Sequence, residues 1–138
     1  MRVSQRLDYA LRLLVALAMR SPGDYAVAGD LAEELGLPRR FAEQQMSALA
    51  RAGVVRCRRG AAGGCALARP ADSITVREVL VALEGTVLDV PRQPGSASAE
   101  TWAETADVLA AHLDRVCLGA LAARQRELDA ASSQMYFI

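Results

Sequence analysis

Between Ala28 and Gly53 two helical segments meet across Gly36, Leu37 and Pro38, a junction so short that it permits little other than a helix-turn-helix. Leu31, Ala32 and Leu35 give the stretch from Ala28 to Leu35 one apolar face, and Gly36 stops it as a C-terminal cap. Pro38 is expected at the first position of the next helix, where no amide donor is needed, and Gly53 falls just past its end near Ala52. Phe41, Ala42, Met46, Leu49 and Ala50 form the inward stripe of this helix. Arg39, Arg40, Glu43, Gln44, Ser47 and Arg51 are left on the opposite face, the pattern of a recognition helix.

The flanking segments extend this unit. Leu7, Leu11, Leu14 and Ala18, widened by Ala10, Leu13 and Leu17, predict a well-buried helix over 5–20 that ends at Ser21, Pro22 and Gly23. Val54 to Arg58 alternates like a strand, Gly60 to Gly64 is a glycine-rich turn, and Cys65 to Ala68 can return as the partner strand. Such a hairpin beside a recognition helix is a wing. Thr75 and Glu78 have the spacing of a capping box for a helix with Val76, Val79, Leu80 and Leu83 inward, closed by Gly85. Residues 86–99 carry Pro, Gly and Ser without periodicity and read as a linker.

From Glu100 to about Ala131 neither Pro nor another strong breaker occurs, and Leu109, Leu113, Val116, Ala120, Ala123 and Leu128 keep a three-and-four spacing. One helix over 100–132, followed by a tail at 133–138, is expected. About 30 helical residues would span about 45 Å, more than so small a domain can cover, so a second copy of the chain is expected to bury the remainder. The fold class is therefore mostly α: a winged helix-turn-helix domain at 1–85 with a small β-hairpin wing, and a long C-terminal dimerisation helix.

A formal net charge of zero argues at first against a polyanionic partner. The charge is uneven, however: residues 1–70 hold 11 Arg against 6 acids, a balance of +5, and residues 71–138 hold 5 Arg against 10 acids, a balance of −5. A basic half joined to an acidic half suits a nucleic-acid module fused to an assembly module, because the local field near the phosphates governs binding. A single His, scattered carboxylates and no phosphate-cradling or nucleophile motif leave no catalytic constellation. The glycine turn precedes a strand, not a helix, so it is no nucleotide loop. Residues 7–19 are too short to span a bilayer and contain Asp8 and Arg12. Three cysteines and no signal peptide predict a cytoplasmic protein without a membrane partner.

MRVSQRLDYALRLLVALA, LAEELGLPRRFAEQQMSALARAGVVRCRRGAAGGCALARP and ITVREVLVALEG together resemble the Rrf2 family of bacterial transcription regulators, over roughly residues 1–85. The resemblance implies a homodimer formed through the C-terminal helix, binding a palindromic double-stranded DNA operator and usually repressing. It places Arg39, Arg40, Glu43 and Gln44 on the recognition helix and Arg58, Arg59 and Gly60 near the wing tip. The chemistry agrees: Arg takes guanine bidentately, Gln pairs with adenine, Glu accepts from cytosine, and a wing Arg suits the narrow minor groove. For any one of these Arg, a solvated surface charge is the competing reading.

Many members of that family hold an iron-sulfur cluster on three cysteines after the fourth helix. This chain departs from that pattern, with no Cys between Leu83 and Asp114, so no cofactor and no metal site is expected. Asp8 and His112 resemble non-thiolate ligands of the family, but Asp8 is better read as an ion-pair partner of an Arg and His112 as a helix-surface residue. Cys65 takes the place of a common aromatic of the family, as a small buried hydrophobe. Cys57 lies between Arg56 and Arg58, where positive charge favours a thiolate, so a redox-responsive wing competes with a passive strand residue. A Cys57 to Cys65 bridge would need Cα atoms within roughly 7 Å. Cys117 is expected within the long helix. Trp102 is either a packing anchor or one wall of a pocket for an unknown effector. Cysteine oxidation or a metal on non-standard ligands is the alternative sensing function, and a protein-interaction module the remaining one.

Overall fold

Apolar spacing and end signals decide where each helix begins and stops. The computed structural model describes residues 2–61 and 63–136, and within them the order is α1 (Gln5–Ala18), α2 (Ala28–Leu35), α3 (Arg39–Arg51), β1 (Val55–Arg58), β2 (Gly64–Leu67), a 3-10 turn (Ala71–Ser73), α4 (Val76–Glu84), α5 (Ala97–Asp114) and α6 (Leu118–Met135). Ala62 of the glycine-rich turn and residues 137–138 of the expected tail lie outside the described residues. The fold is mostly α with a two-stranded antiparallel hairpin, as the residue pattern predicts.

The core is built around α1. Its Ala10, Leu13 and Leu14 are fully buried, and it packs against α2, α3, α4, α6 and β2. Ser4 caps it: the Ser4 hydroxyl accepts from the Leu7 N–H at 3.1 Å and donates to Glu84 Oε1 at 2.6 Å, tying the start of α1 to the end of α4. Leu31 of α2 and Leu49 of α3 close the other side of the core. Gly36 ends α2 at φ +68°, and the next N–H, of Leu37, returns to the Ala32 carbonyl at 2.8 Å. Pro38 differs from the expectation. It is the residue just before α3, with ψ 126°, so its fixed φ turns the chain into the helix without belonging to it.

The single helix expected over 100–132 is two helices. The chain breaks at Arg115, Val116 and Cys117 although no Gly or Pro marks the spot. The cause is tertiary. The Val76 N–H at the start of α4 donates to the Val116 carbonyl at 2.8 Å, and the Leu118 N–H donates to the Ile74 carbonyl at 2.9 Å, a short antiparallel bridge between Thr75 and Cys117. The first-turn donors of α4 and α6 lack intrahelical partners; this bridge satisfies one from each, which a continuous helix through 115–117 would forbid. Cys117 is thus the cap of α6, its sulfur accepting from the Ala120 N–H at 3.4 Å, and not a residue packed within a helix. The helix before it starts at Ala97, inside the expected 86–99 linker, because Ser96 caps it. The expected tail at 133–138 is corrected likewise, since α6 continues to Met135.

The two C-terminal helices differ in role. Leu118 and Ala122 of α6 are buried against the body of the domain, and full burial of one Leu contributes about 1.5–3 kcal/mol. No residue of α5 is buried. Trp102 and Val108 of α5 are 42% and 72% exposed.

Candidate nucleic-acid interface

Helix α3 presents the polar face that the residue pattern predicts. Arg39, Arg40, Glu43, Gln44 and Ser47 are all exposed on α3, while Ala42, Met46 and Leu49 are buried beneath them. The polar residues are not equivalent. Arg39 Nε pairs with Glu43 Oε1 at 3.2 Å, one turn along. Its guanidinium also lies against Gly29 of α2, so close that a Cβ there would fall 2.7 Å from Arg39 Nε. Ser47 donates back to the Glu43 carbonyl at 3.1 Å. Arg40 and Gln44 make no side-chain hydrogen bond among the described residues, so their donors and acceptors stand open to a partner.

Gln45, which fell in neither stripe of the sequence pattern, is 5% exposed and accepts from Arg6 Nε at 3.2 Å. A buried amide needs such a partner, and the contact locks α3 to α1. Its spacing from Ala42 and Leu49 marks it as inward; only its polarity conceals this. Tyr9 and Phe41 meet edge-to-face, centroids 5.3 Å apart, at the same α1–α3 contact. Asp8 pairs with Arg12 at 3.0 Å, and His112 is exposed on α5.

The wing is held from both sides. β1 pairs with β2 in the register Val55 to Leu67, Arg56 to Ala66, Cys57 to Cys65 and Arg58 to Gly64. On its other edge, β2 bonds to Ala26: the Ala26 N–H donates to the Cys65 carbonyl at 2.9 Å, and the Cys65 N–H donates to the Ala26 carbonyl at 2.8 Å. Gly64 permits this approach, since at φ +127° a Cβ would sit 2.7 Å from the Ala26 backbone. Cys57 and Cys65 are disulfide-bonded, with Cα atoms 4.1 Å apart. The sulfur of Cys65 is therefore committed to a cross-strand bond, where the residue pattern suggested a simple buried hydrophobe.

Arg58, Arg59 and Gly60 are exposed at the end of β1, with Gly60 at φ +105°. The Arg58 guanidinium lies over the ring of Tyr25, which the sequence pattern did not single out. Where the wing leaves the hairpin, Arg69 grips Glu78 of α4: Nη1 donates to Oε1 at 2.8 Å and Nη2 to Oε2. That hydrogen bonding, with the Arg charge, holds the Glu78 carboxyl below the usual range against partial burial, and raises Arg69 above its ordinary value. The capping box is thus half formed. Thr75 Oγ1 accepts from the Glu78 N–H at 3.1 Å, but the Glu78 carboxylate is turned to Arg69. The exposed groove on α5 is bounded by Thr101, Glu104, Thr105, Val108, Leu109 and His112, without Trp102. No helix among the described residues is long and apolar enough to cross a membrane.

A family model for Rrf2, described as an iron-dependent transcriptional regulator, matches residues 3–124. The HTH-type transcriptional regulator IscR of Escherichia coli O1:K1 is 29% identical over 143 residues, covering 97% of this chain and 88% of the relative. Among solved structures, CymR, the global cysteine regulator of B. subtilis, superposes with a TM-score of 0.81 at 28% identity, covering 90% of this chain and 98% of that one. IscR of T. potens gives 0.79 at 27% identity, with 93% and 90% covered. The oxidized form of Staphylococcus aureus CymR gives 0.74 at 31% identity, with 88% and 96% covered.

Iron does not fit the donors this chain brings together. Among the described residues no three of His, Cys, Asp and Glu converge. Cys57 and Cys65 pair with each other across the hairpin, and Cys117 caps α6, so the three sulfurs share no site among the described residues. A cluster needs several thiolates on one site.

Proposed function

The chain belongs to the Rrf2 family of transcriptional regulators, a non-enzymatic class, and from that premise we propose that it binds a palindromic DNA operator as a homodimer and represses the adjoining genes. The observation that carries this reading is the exposed face of α3, on which Arg40 and Gln44 have no side-chain hydrogen-bond partner among the described residues, whereas Arg39, Glu43 and Ser47 pair among themselves. Arg40 and Gln44 read base edges in the major groove. Arg58 and Arg59 on the wing enter the adjacent minor groove, and Arg39, Glu43 and Ser47 shape the reading surface. Gly60 lets the wing turn close to the backbone.

The dimer rests on α5. Its exposed Trp102 and Val108 offer apolar surface that the chain itself leaves uncovered, and a second copy related by a twofold axis would bury it. Two reading heads then fall about 34–36 Å apart, one turn of duplex. A regulator of this kind works in the cytoplasm beside the chromosome.

Selection of genomic fragments by the purified protein tests the reading. A recovered palindrome whose affinity falls steeply with salt, as phosphate counterions are released, is the expected result. Equal binding to the recovered fragment and to random duplex at every salt concentration would refute it, and transcription that rises when the protein is added would refute repression.

A further inference from the structure

We propose that the wing is also a redox site: Cys57 and Cys65 react with a hydroperoxide to form their disulfide, and this bond raises the affinity of the wing for DNA. The inference rests on the DNA-binding reading above. It starts from a juxtaposition that the helix-turn-helix does not need, two cysteines facing one another across a hairpin of two four-residue strands.

Three observations support a switch rather than a fixed staple. First, a protein that works on chromosomal DNA meets thiol pools that keep cysteines reduced, so a disulfide there is transient. Second, the two sulfurs differ in access: Cys57 is exposed, whereas Cys65 is 7% exposed and packs into the core. A peroxide reaches the first and the second waits beside it, the arrangement of an attacked and a resolving thiol. Third, among the described residues β1 has no strand on its outer edge. β2 is fixed by its bonds to Ala26, whereas the backbone of β1 at Cys57 and Arg58 pairs with β2, and the Tyr25 ring holds the Arg58 guanidinium rather than the strand itself. A two-stranded hairpin is marginal by itself. The covalent link therefore bears on the segment that presents the wing arginines.

The chemistry balances. The Cys57 thiolate attacks one peroxide oxygen, the O–O bond breaks, and water leaves after protonation, giving a sulfenic acid. The Cys65 sulfur then attacks Cys57, the S–S bond forms, and the hydroxyl departs with the Cys65 proton as a second water. Two thiols have been oxidised and one hydrogen peroxide reduced to two waters. Two small thiols reverse the step and leave as their own disulfide.

With the bond in place, the strand backbone that carries the wing arginines is already fixed when DNA arrives; without it, that ordering opposes binding. Fixing about one backbone residue in advance corresponds to about a tenfold gain in affinity. The test uses the full chain carrying Cys117→Ser, which keeps an N-cap on α6 and leaves only the wing pair titratable. The protein is reduced with dithiothreitol or treated with one equivalent of hydrogen peroxide. Free thiols are counted by alkylation and intact mass, and affinity for a genomic fragment that the protein retains is read by fluorescence anisotropy. Peroxide is expected to remove two thiols within each chain and tighten binding about tenfold, reversibly, with Cys57→Ser held at the reduced affinity in both conditions. Thiols that persist under peroxide overturn the redox step whatever the DNA result. Equal affinities, or tighter binding by the reduced form, overturn the coupling while leaving the DNA reading intact. Failure of both forms to prefer the fragment over random duplex removes the DNA reading and this inference with it.

Discussion

The Arg58 guanidinium carbon lies 3.8 Å from the centroid of the Tyr25 ring, so a side chain from the loop before α2 supports the cation at the end of the wing. A cation over an aromatic face at an exposed site is stabilised by about 0.5–1 kcal/mol. Tyr25→Ala should therefore weaken DNA binding about two- to fivefold, and Tyr25→Phe, which keeps the ring, should not. Anisotropy titrations of both variants check this. Wild-type affinity in Tyr25→Ala alongside a clear loss in Arg58→Ala would show that the ring does not matter.

Arg40 and Gln44 should behave differently from Arg59. Loss of a base contact removes about 1–3 kcal/mol of discrimination at one position, so Arg40→Ala and Gln44→Ala should relax the preferred sequence. Arg59→Ala should instead weaken binding to all sequences alike and lower the salt slope by about one. Competition between the recovered palindrome and single-base variants of it, repeated across salt concentrations, separates the two outcomes.

The Arg69–Glu78 pair makes a prediction for pH. Glu78 is held below its ordinary carboxyl value of 4.5, so its contribution to stability is fully present above that value and lost as pH falls through the lower folded one. The pair is well exposed and screened, which keeps the effect small. Glu78→Gln should melt about one to three degrees below wild type at pH 7, and the gap should narrow as pH falls below 4.5. A gap that stays constant as pH falls would assign the loss to something other than the carboxylate charge.

Gly64→Ala should destabilise the wing and its anchorage. Its φ of +127° is strained for any residue with a side chain, and the added Cβ meets Ala26 backbone atoms that cannot rotate away. A Tm lower by about 5–10 °C is expected by calorimetry, with faster amide exchange at Cys65. Gly23→Ala, which meets nothing within 4 Å, controls for positive φ alone.

A charge on α5 should separate the copies without unfolding either. Val108 is 72% exposed, so Val108→Glu should shift the proposed dimer to monomer in sedimentation and leave far-UV circular dichroism unchanged. Dimers that survive this change would place the contact elsewhere.

Much of this arrangement follows from local signals. Gly36 and Gly53 bound the helix pair, the 3.6-residue stripe of α3 separates its exposed polar face from its core, and Thr75 marks the start of α4. Two features escaped for the same reason: they depend on partners distant in sequence. The break at 115–117 exists because α4 offers Val76 N–H and Ile74 C=O to it, and helical periodicity runs through the gap unbroken. Tyr25 gains its role only when the hairpin returns beside the loop before α2. For Cys57 and Cys65, the sequence places one cysteine on each expected strand, and only the register of the folded hairpin sets them directly opposite.

The elbow at Val116 divides labour within what looked like one rod. Because α6 is bolted to α1 and to the 3-10 turn, it moves with the helix-turn-helix, whereas α5 makes its main contact with α4 and turns its flank outward. In the proposed dimer, the span between the two copies of α3 is then governed by a joint pinned at Ile74 and Val76. Lengthening or loosening that joint would retune which operator spacings the pair can straddle while leaving every base-reading side chain untouched.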